Sequence, residues 1–358
     1  MVLAISLWAI PAAPALSKDC GPLKQMASLD MTSVSGTPLM TAPLVIDGRN
    51  VRLLLDTGAG TSGLTRSAAA KLDLRARDSG NMHLLDADGR AVHRYYLTDS
   101  LTISALTARN VPFMQASGVD DIPQVDGTFG PDLMLRYDVE MDFAAGKLTY
   151  FSQDHCFGHI VHWPAEAVAQ VPITIASRAG DYPVPMGKAD PELFLIVTGG
   201  APILGTDIRV DVMLDGHAFT ANIDTGAQVS SINSDAARRY YEISANDVIP
   251  PITDKTSSQV HEQSASVMAG GTENVTVTGF RAEHRFHALT FGGVTVTSPL
   301  FALRREPTDA GRVGAPRRPD ITIGMNVLRA LHLYFAFKER VLYVSAVDQA
   351  RPPRGRIN

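Results

Sequence analysis

Asp56 and Asp224 head the same tetrapeptide, Asp-Thr-Gly-Ala, which occurs as Asp56–Ala59 and again as Asp224–Ala227. Two carboxylates brought close together cannot both ionise cheaply, so one holds a proton while its partner stays charged. Such a pair can take a proton from water and give one to a carbonyl oxygen and then to a leaving nitrogen. Amide hydrolysis needs these transfers when neither a metal nor a covalent nucleophile takes part. The titration would belong to the pair rather than to either acid. The residues after each acid suit the task. Gly58 and Gly226 permit a tight turn and let backbone amides approach the carboxylates. Thr57 and Thr225 carry hydroxyls short enough to bond locally and across the pair.

Each acid must be delivered by something rigid, and the sequence supplies the same device twice. The apolar runs Leu53-Leu54-Leu55 and Ala221-Asn222-Ile223 lead into the two turns, and Asp47-Gly48 and Asp215-Gly216 lie nine residues before each acid. Leu64 and Ile232, Ala68 and Ala236, and Ala69 and Ala237 keep the same offset of 168, the mark of one duplicated unit. Further on, Gly130-Pro131-Asp132-Leu133 matches Gly324-Met325-Asn326-Val327 at an offset of 194, as do Val139 with Leu333, Met141 with Phe335, Phe143 with Phe337 and Leu148 with Leu342. The 26 residues gained fall among 249–283 and 306–319, which read as long loops.

The pattern between these points is β-rich. Leu39 to Leu55 reads as a hairpin turning at Asp47-Gly48, and 82–103 as two strands around Asp86-Ala87-Asp88-Gly89, a hairpin able to project over the first acid. Ser67 to Leu72 is at most a short helix, while Tyr137–Phe151 and Leu333–Val344 alternate as closing hairpins. The fold class expected is all-β with short helices, in two internally duplicated, closed, barrel-like lobes.

At 358 residues the chain exceeds the size at which one core keeps growing, and 45% hydrophobic with 19% charged residues is enough for two cores. The divisions expected are a signal peptide at 1–15, a first lobe at 16–154, a structured, proline-rich linker at 155–191 with some strand at Val171–Ile175, a second lobe at 192–348 and a flexible tail at 349–358. The leader rests on the apolar stretch Val2–Ile10 followed by Ala13-Pro14-Ala15, a pattern resembling a signal-peptidase site, and implies a periplasmic or secreted protein. Cys20 and Cys156 would then pair, tying the start of the first unit to its end, with two unpaired thiols as the alternative. Ser17-Lys18-Asp19 before Cys20 argues against a lipid anchor, and no other run approaches the roughly twenty apolar residues of a membrane span. A formal net charge of −5 argues against nucleic acid as a partner.

His155-Cys156-His159-His162 has zinc-ligand spacing, but a disulfide would consume Cys156 and no second cluster follows. No metal or other cofactor is expected. His284 and His287 read as an exposed strand-edge pair, and Asn274-Val275-Thr276 as a glycosylation acceptor only in a eukaryotic source. No His-Glu-x-x-His, phosphate-binding glycine loop or nucleophile elbow occurs.

The paired turns, each followed by a Gly-x-Asp/Asn-apolar segment, resemble aspartic proteases of the retropepsin kind in a bacterial-type single-chain, two-lobe form. The likeness spans about residues 39–151 and 200–345. It implies the two-lobe aspartic protease fold, an endopeptidase acting as a monomer on an extended polypeptide, and Asp56 and Asp224 as the catalytic acids. Thr57, Gly58, Ala59, Thr225, Gly226 and Ala227 would support them, with Gly130, Asp132, Gly324 and Asn326 packed beneath the turns. Pepsin-like relatives tend to carry Ser or Thr where this chain has Ala59 and Ala227; losing a donor to the charged form would raise the pair's pKa values and implies a mildly acidic optimum. The rival readings are a catalytically silent, protease-like peptide-binding module and an envelope β-protein that binds glycan or protein.

Overall fold

The computed structural model describes residues 20–78, 84–85, 91–116, 119, 122–177, 206–243, 283–304 and 319–347. The expected leader, the turn at 86–89, the Asn274 acceptor, nearly all of the two long loops and the tail at 349–358 lie outside the described residues.

The first half builds a closed barrel. The hairpin Met40–Ile46 and Arg49–Leu55 turns at Asp47, whose φ of 48° and that of Gly48 at 74° suit a tight two-residue reversal. The barrel continues from Arg49–Leu55 through Gly127–Phe129, Gly63–Leu64, Leu106–Gln115 and Arg94–Ile103, and Arg94–Ile103 closes it by pairing back on Met40–Ile46. The long hairpin 94–103 with 106–115 differs from the sequence expectation, which paired the runs on either side of residues 86–89. Its turn is formed at Ser104, held at φ 53° without a glycine to announce it. Short strands Leu84–Leu85 and Ala91–Val92 do pair antiparallel around that position.

The second half repeats the plan. Thr206–Leu214 and His217–Ile223 form the hairpin turning at Asp215, and Ile321–Ile323 runs parallel to His217–Ile223, as Gly127–Phe129 runs parallel to Arg49–Leu55. In both halves a polar N-cap starts the short helix after the acid turn: Thr65 for Arg66–Lys71 and Asn233 for Ser234–Tyr241, each accepting a backbone N–H. Each helix buries an alanine pair, Ala68 with Ala69 and Ala236 with Ala237, so small side chains let it lie close on its sheet.

One sheet joins the halves, ordered Gln25–Asp30, Lys147–Phe151, Asp138–Asp142, Leu331–Ala336, Val341–Ala346 and Ala169–Ser177. At its centre Glu140 pairs with Tyr334, its own equivalent in the duplication, while Val139 pairs with Phe335 and Met141 with Leu333. That exchange places a local two-fold between residues 140 and 334. Ala169–Ser177, inside the expected linker, is a strand shared by Val341–Ala346 and Thr206–Leu214.

Alternation sets the two faces of the joining sheet. Val139, Met141, Leu333 and Phe335 enter the main core, whereas Tyr334 and Ala336 face a second apolar cluster with Phe151, Ile160 and Tyr343. The chain after Cys156 covers that second face, and the Cys20–Cys156 disulfide expected from sequence is present at its start. Among the described residues no helix is long and apolar enough to cross a membrane.

Candidate active site

The two Asp-Thr-Gly turns meet across the local two-fold. Thr57 N donates to Thr225 Oγ1 and Thr225 N donates to Thr57 Oγ1, both at 3.0 Å. Each hydroxyl in turn donates across the interface: Thr57 Oγ1 to the carbonyl of Ile223 at 2.7 Å, and Thr225 Oγ1 to that of Leu55 at 2.9 Å. Both threonines are buried, so these four bonds are shielded from competing water. The apolar runs that the sequence assigned as anchors therefore also present the acceptor carbonyls.

Asp56 and Asp224 are half-buried in these otherwise buried surroundings. Gly58 N donates to Asp56 Oδ1 at 3.0 Å, and Gly226 N and Ala227 N donate to Asp224 Oδ1 at 2.9 and 3.0 Å. The backbone N–H of each acid is fixed from below, Asp56 by the carbonyl of Phe129 and Asp224 by that of Ile323, both at 3.0 Å. The glycines serve a purpose beyond the turn. A Cβ placed on Gly58 would lie 2.5 Å from Asp224 Oδ2, and one on Gly226 would lie 2.6 Å from Asp56 Oδ2. Each acid thus rests against the bare Cα of the opposite turn.

A second pair of supports lies under the turns. Ser62 N and Ser62 Oγ donate to Asp132 Oδ1 at 2.7 and 2.8 Å, and Gly130 N donates to Ser62 Oγ at 2.9 Å. In the other half Ser230 N and Oγ donate to Asn326 Oδ1 at 2.7 and 2.8 Å, and Gly324 N donates to Ser230 Oγ at 3.0 Å. Close approach forbids a side chain at Gly130 and Gly324, where a Cβ would stand 2.6 Å from Thr61 C and 2.8 Å from Ala227 O. Gly130, Asp132, Gly324 and Asn326 thus lie in two matching hydrogen-bond networks. The sequence reading missed the serines that connect them, although Ser62 and Ser230 are identical and share the offset of 168.

The histidines lie elsewhere. His155 Nε2 contacts Asp138 Oδ2 at 2.5 Å, both fully buried, and Phe337 N donates to Asp138 Oδ1 at 3.0 Å. Burial pushes the Asp138 carboxyl up, and the bond to Asp138 raises His155 against the opposing effect of its own burial. His162 and His332 flank Glu140 at 3.2 and 2.9 Å, and the Trp163 ring stacks on His332 at 4.4 Å. These pairs hold the 155–163 segment onto the back of the joining sheet. Among the described residues no group of three or more His, Cys, Asp or Glu could hold a metal ion. His287 is exposed and pairs with Asp215, while His284 is half-buried in the strand Glu283–Arg285 at the sheet's end.

Residues 42–135 match the family model described as aspartyl protease, a stretch that contains the first acid turn and the Gly130 segment beneath it. No curated protein matches the chain. Solved structures similar to it include basic 7S globulin from soybean, at 10% identity and a TM-score of 0.48, covering 90% of this chain and 97% of that one. Conglutin gamma from lupine seeds, a basic 7S globulin, gives 10% identity and 0.46, covering 90% and 95%. An aspartic proteinase from Irpex lacteus gives 12% identity and 0.46, covering 90% and 97%.

Proposed function

We propose that this chain is an exported aspartic endopeptidase in which Asp56 and Asp224 hydrolyse peptide bonds by general acid–base activation of water. One observation carries the reading: the reciprocal bonds of Thr57 and Thr225 hold two identical acid turns face to face, each carboxylate against the opposite glycine. A structural turn has no need of a buried counterpart, whereas an acid pair requires a fixed separation.

In this mechanism the charged carboxylate accepts a proton from water as the oxygen attacks the peptide carbonyl. The protonated carboxyl gives its proton to the carbonyl oxygen, leaving a neutral tetrahedral diol. The carboxyl that took the proton from water then passes it to the nitrogen while the other carboxylate takes a proton from a diol hydroxyl, the C–N bond breaks to release acid and amine, and the pair returns to its shared single proton. The amides of Gly58, Gly226 and Ala227 help fix the carboxylate orientations throughout. Thr57 and Thr225 lock the two turns together, and Ala59 and Ala227 complete them without a hydroxyl. The substrate is a polypeptide in extended form, the working unit is a monomer, and the lobes at 16–154 and 192–348 each supply one acid.

The Cys20–Cys156 disulfide fits the exported setting that the leader pattern suggests. The test is cleavage of a denatured-protein mixture by the purified chain from pH 3 to 8, with and without pepstatin, beside Asp56→Asn and Asp224→Asn. Loss of cleavage in both folded variants is expected. Cleavage that persists in them would assign the activity elsewhere, and no cleavage by the native chain at any pH would favour a silent peptide-binding module.

A further inference from the structure

A row of side chains crosses the second-half sheet beside the Asp224 turn. Arg209 lies opposite Asn222, Asn222 beside Thr322, and Thr322 opposite Ser231 in the strand Ser230–Asn233. Partners in register share one face of a sheet. Their strand neighbours Val210, Ala221, Ile223, Ile232 and Ile321 enter the apolar core, so the row faces the other way. Asp224 follows Asn222 by two residues, about 7 Å of extended chain, which sets the row beside the acid.

The row is buried without being satisfied. Asn222 is 7% exposed and Ser231 3%, and Asn222 Oδ1, Ser231 Oγ and Arg209 Nε have no hydrogen-bond partner among the described residues. Such atoms oppose folding unless something else pairs with them. In the next row away from the acid Thr220 Oγ1 donates to Asp211 Oδ1 at 2.9 Å, so a polar face does not by itself leave atoms unpaired. The first half provides the comparison. At the offset of 168, Arg209, Asn222 and Ser231 correspond to Thr41, Leu54 and Gly63, which form the matching row with Thr128, the counterpart of Thr322 at the offset of 194. There Leu54 is buried in the apolar core, and Thr41 Oγ1 donates to the Thr32 carbonyl at 3.1 Å. The unpaired polar row therefore belongs to the Asp224 side.

We propose that Asn222, Ser231 and Arg209 line a subsite beside Asp224 that selects a substrate side chain ending in a carboxamide, glutamine or asparagine, adjacent to the bond cleaved. The proposal rests on the endopeptidase reading and narrows its substrate class. The unpaired atoms set the chemistry: Asn222 Oδ1 needs a donor, Arg209 Nε needs an acceptor, and Ser231 Oγ can serve as either. A carboxamide carries a donor and an acceptor side by side, and it meets the Asn222 amide in either orientation. A carboxylate lacks the donor, an ammonium or guanidinium lacks the acceptor, and a hydroxyl must serve both neighbours from one atom. An aliphatic side chain would bury all three atoms unpaired. The Arg209 guanidinium is paired with Asp207 at 3.1 Å, so the wall favours a neutral guest.

The experiment uses the full-length oxidised chain and decapeptides on one scaffold in which Gln or Leu occupies each position in turn. Cleavage is measured for the native chain, Asn222→Leu and Ser231→Ala, and calorimetry follows binding of the same peptides to Asp56→Asn. In the native chain Gln should raise kcat/KM over Leu by about tenfold or more at one position flanking the cleaved bond. Asn222→Leu, which installs the residue of the first half, should abolish or reverse that ratio. Ser231→Ala should reduce it several-fold, and it covers the case in which Asn222→Leu fails to fold. Both variants should melt no lower than the native chain, since each removes an unpaired buried atom. Equal cleavage of Gln and Leu peptides at every position, or a Gln preference that survives in every folded variant, would overturn the proposal. If the native chain cleaves none of the peptides, the endopeptidase reading fails and binding decides the subsite. Tighter binding of Gln peptides by Asp56→Asn, lost when Asn222→Leu is added, would support it; absent binding, or binding blind to the exchange, would overturn it.

Discussion

Gly58 meets the carboxylate of Asp224 so closely that a Cβ at position 58 would lie 2.5 Å from Oδ2 and 2.6 Å from Oδ1. Gly226 stands in the same relation to Asp56. The glycine of each turn is therefore demanded by the opposite acid rather than by its own backbone.

That relationship makes Gly58→Ala and Gly226→Ala informative. The new methyl must displace the end of a carboxylate, a movable group, so the fold should survive at a cost of roughly 1–3 kcal/mol. Cleavage should suffer far more, by about a hundredfold or beyond, because a displacement near 1 Å disrupts the reacting geometry. Measuring kcat/KM beside the melting temperature separates the two effects. Undiminished cleavage in a folded variant would show that the working carboxylates are not held against the glycines.

The threonine lock makes a different prediction. Thr57→Val keeps the shape but leaves the N–H of Thr225 and the carbonyl of Ile223 without their partner in a buried place. Each group left unpaired should cost about 1–3 kcal/mol. Thr225→Val should cost a similar amount, and the double variant less than the sum, since both residues belong to one network. Denaturant unfolding of the four chains gives the coupling directly. Strict additivity would mean that the turns do not act as a unit.

The disulfide closes a loop of 136 residues in sequence separation, long enough that removing it should cost about 2–5 kcal/mol. A Cys20→Ser, Cys156→Ser chain should unfold at lower denaturant with a somewhat steeper slope, because the unfolded chain without its cross-link exposes more surface. Because the bond anchors the segment covering the joining sheet rather than the acid turns, cleavage at low temperature should persist. A stability equal to that of the oxidised native chain would show that the second apolar cluster holds this segment unaided.

Much of this arrangement could be read from the chain because it is local and repeated. The Asp47-Gly48 hairpin, the apolar runs into each acid turn and the closing hairpins all follow from neighbours in sequence, and the offsets of 168 and 194 revealed the second copy. Pairing across the two-fold was not legible. Nothing near Val139 specifies Phe335 as its partner, since strand register is fixed by packing between distant segments. The hairpin around Ser104 lacked a glycine signal, and His155 meets Asp138 because the disulfide and the joining sheet bring the two together. Ser62 and Ser230 were visible as a repeated pair, but their hydroxyls gain meaning only once Gly130 and Gly324 lie beside them.

The cluster around Glu140 sets the expected response of the fold to acid. Burial alone would raise this carboxyl, but hydrogen bonds from His162 and His332 outweigh it and bring it from 4.5 down to about 2. A carboxyl depressed in the folded state stabilises the fold above its unfolded value, and that contribution is lost as pH falls through the folded one. The loss should therefore run from about pH 4.5 to pH 2 and amount to about 3 kcal/mol, taking 1.36 kcal/mol for each pH unit. His162 bounds the effect from the other side. Its imidazole is raised above 6.5 by the bond to Glu140, so its share is present below 6.5 and disappears as pH climbs past the folded value. Glu140→Gln should flatten the acid limb of a denaturation profile taken from pH 2.5 to 7 and lower stability near pH 5, where Glu140 and His162 are both charged. An acid limb as steep as that of the native chain would place the acid sensitivity in other carboxylates.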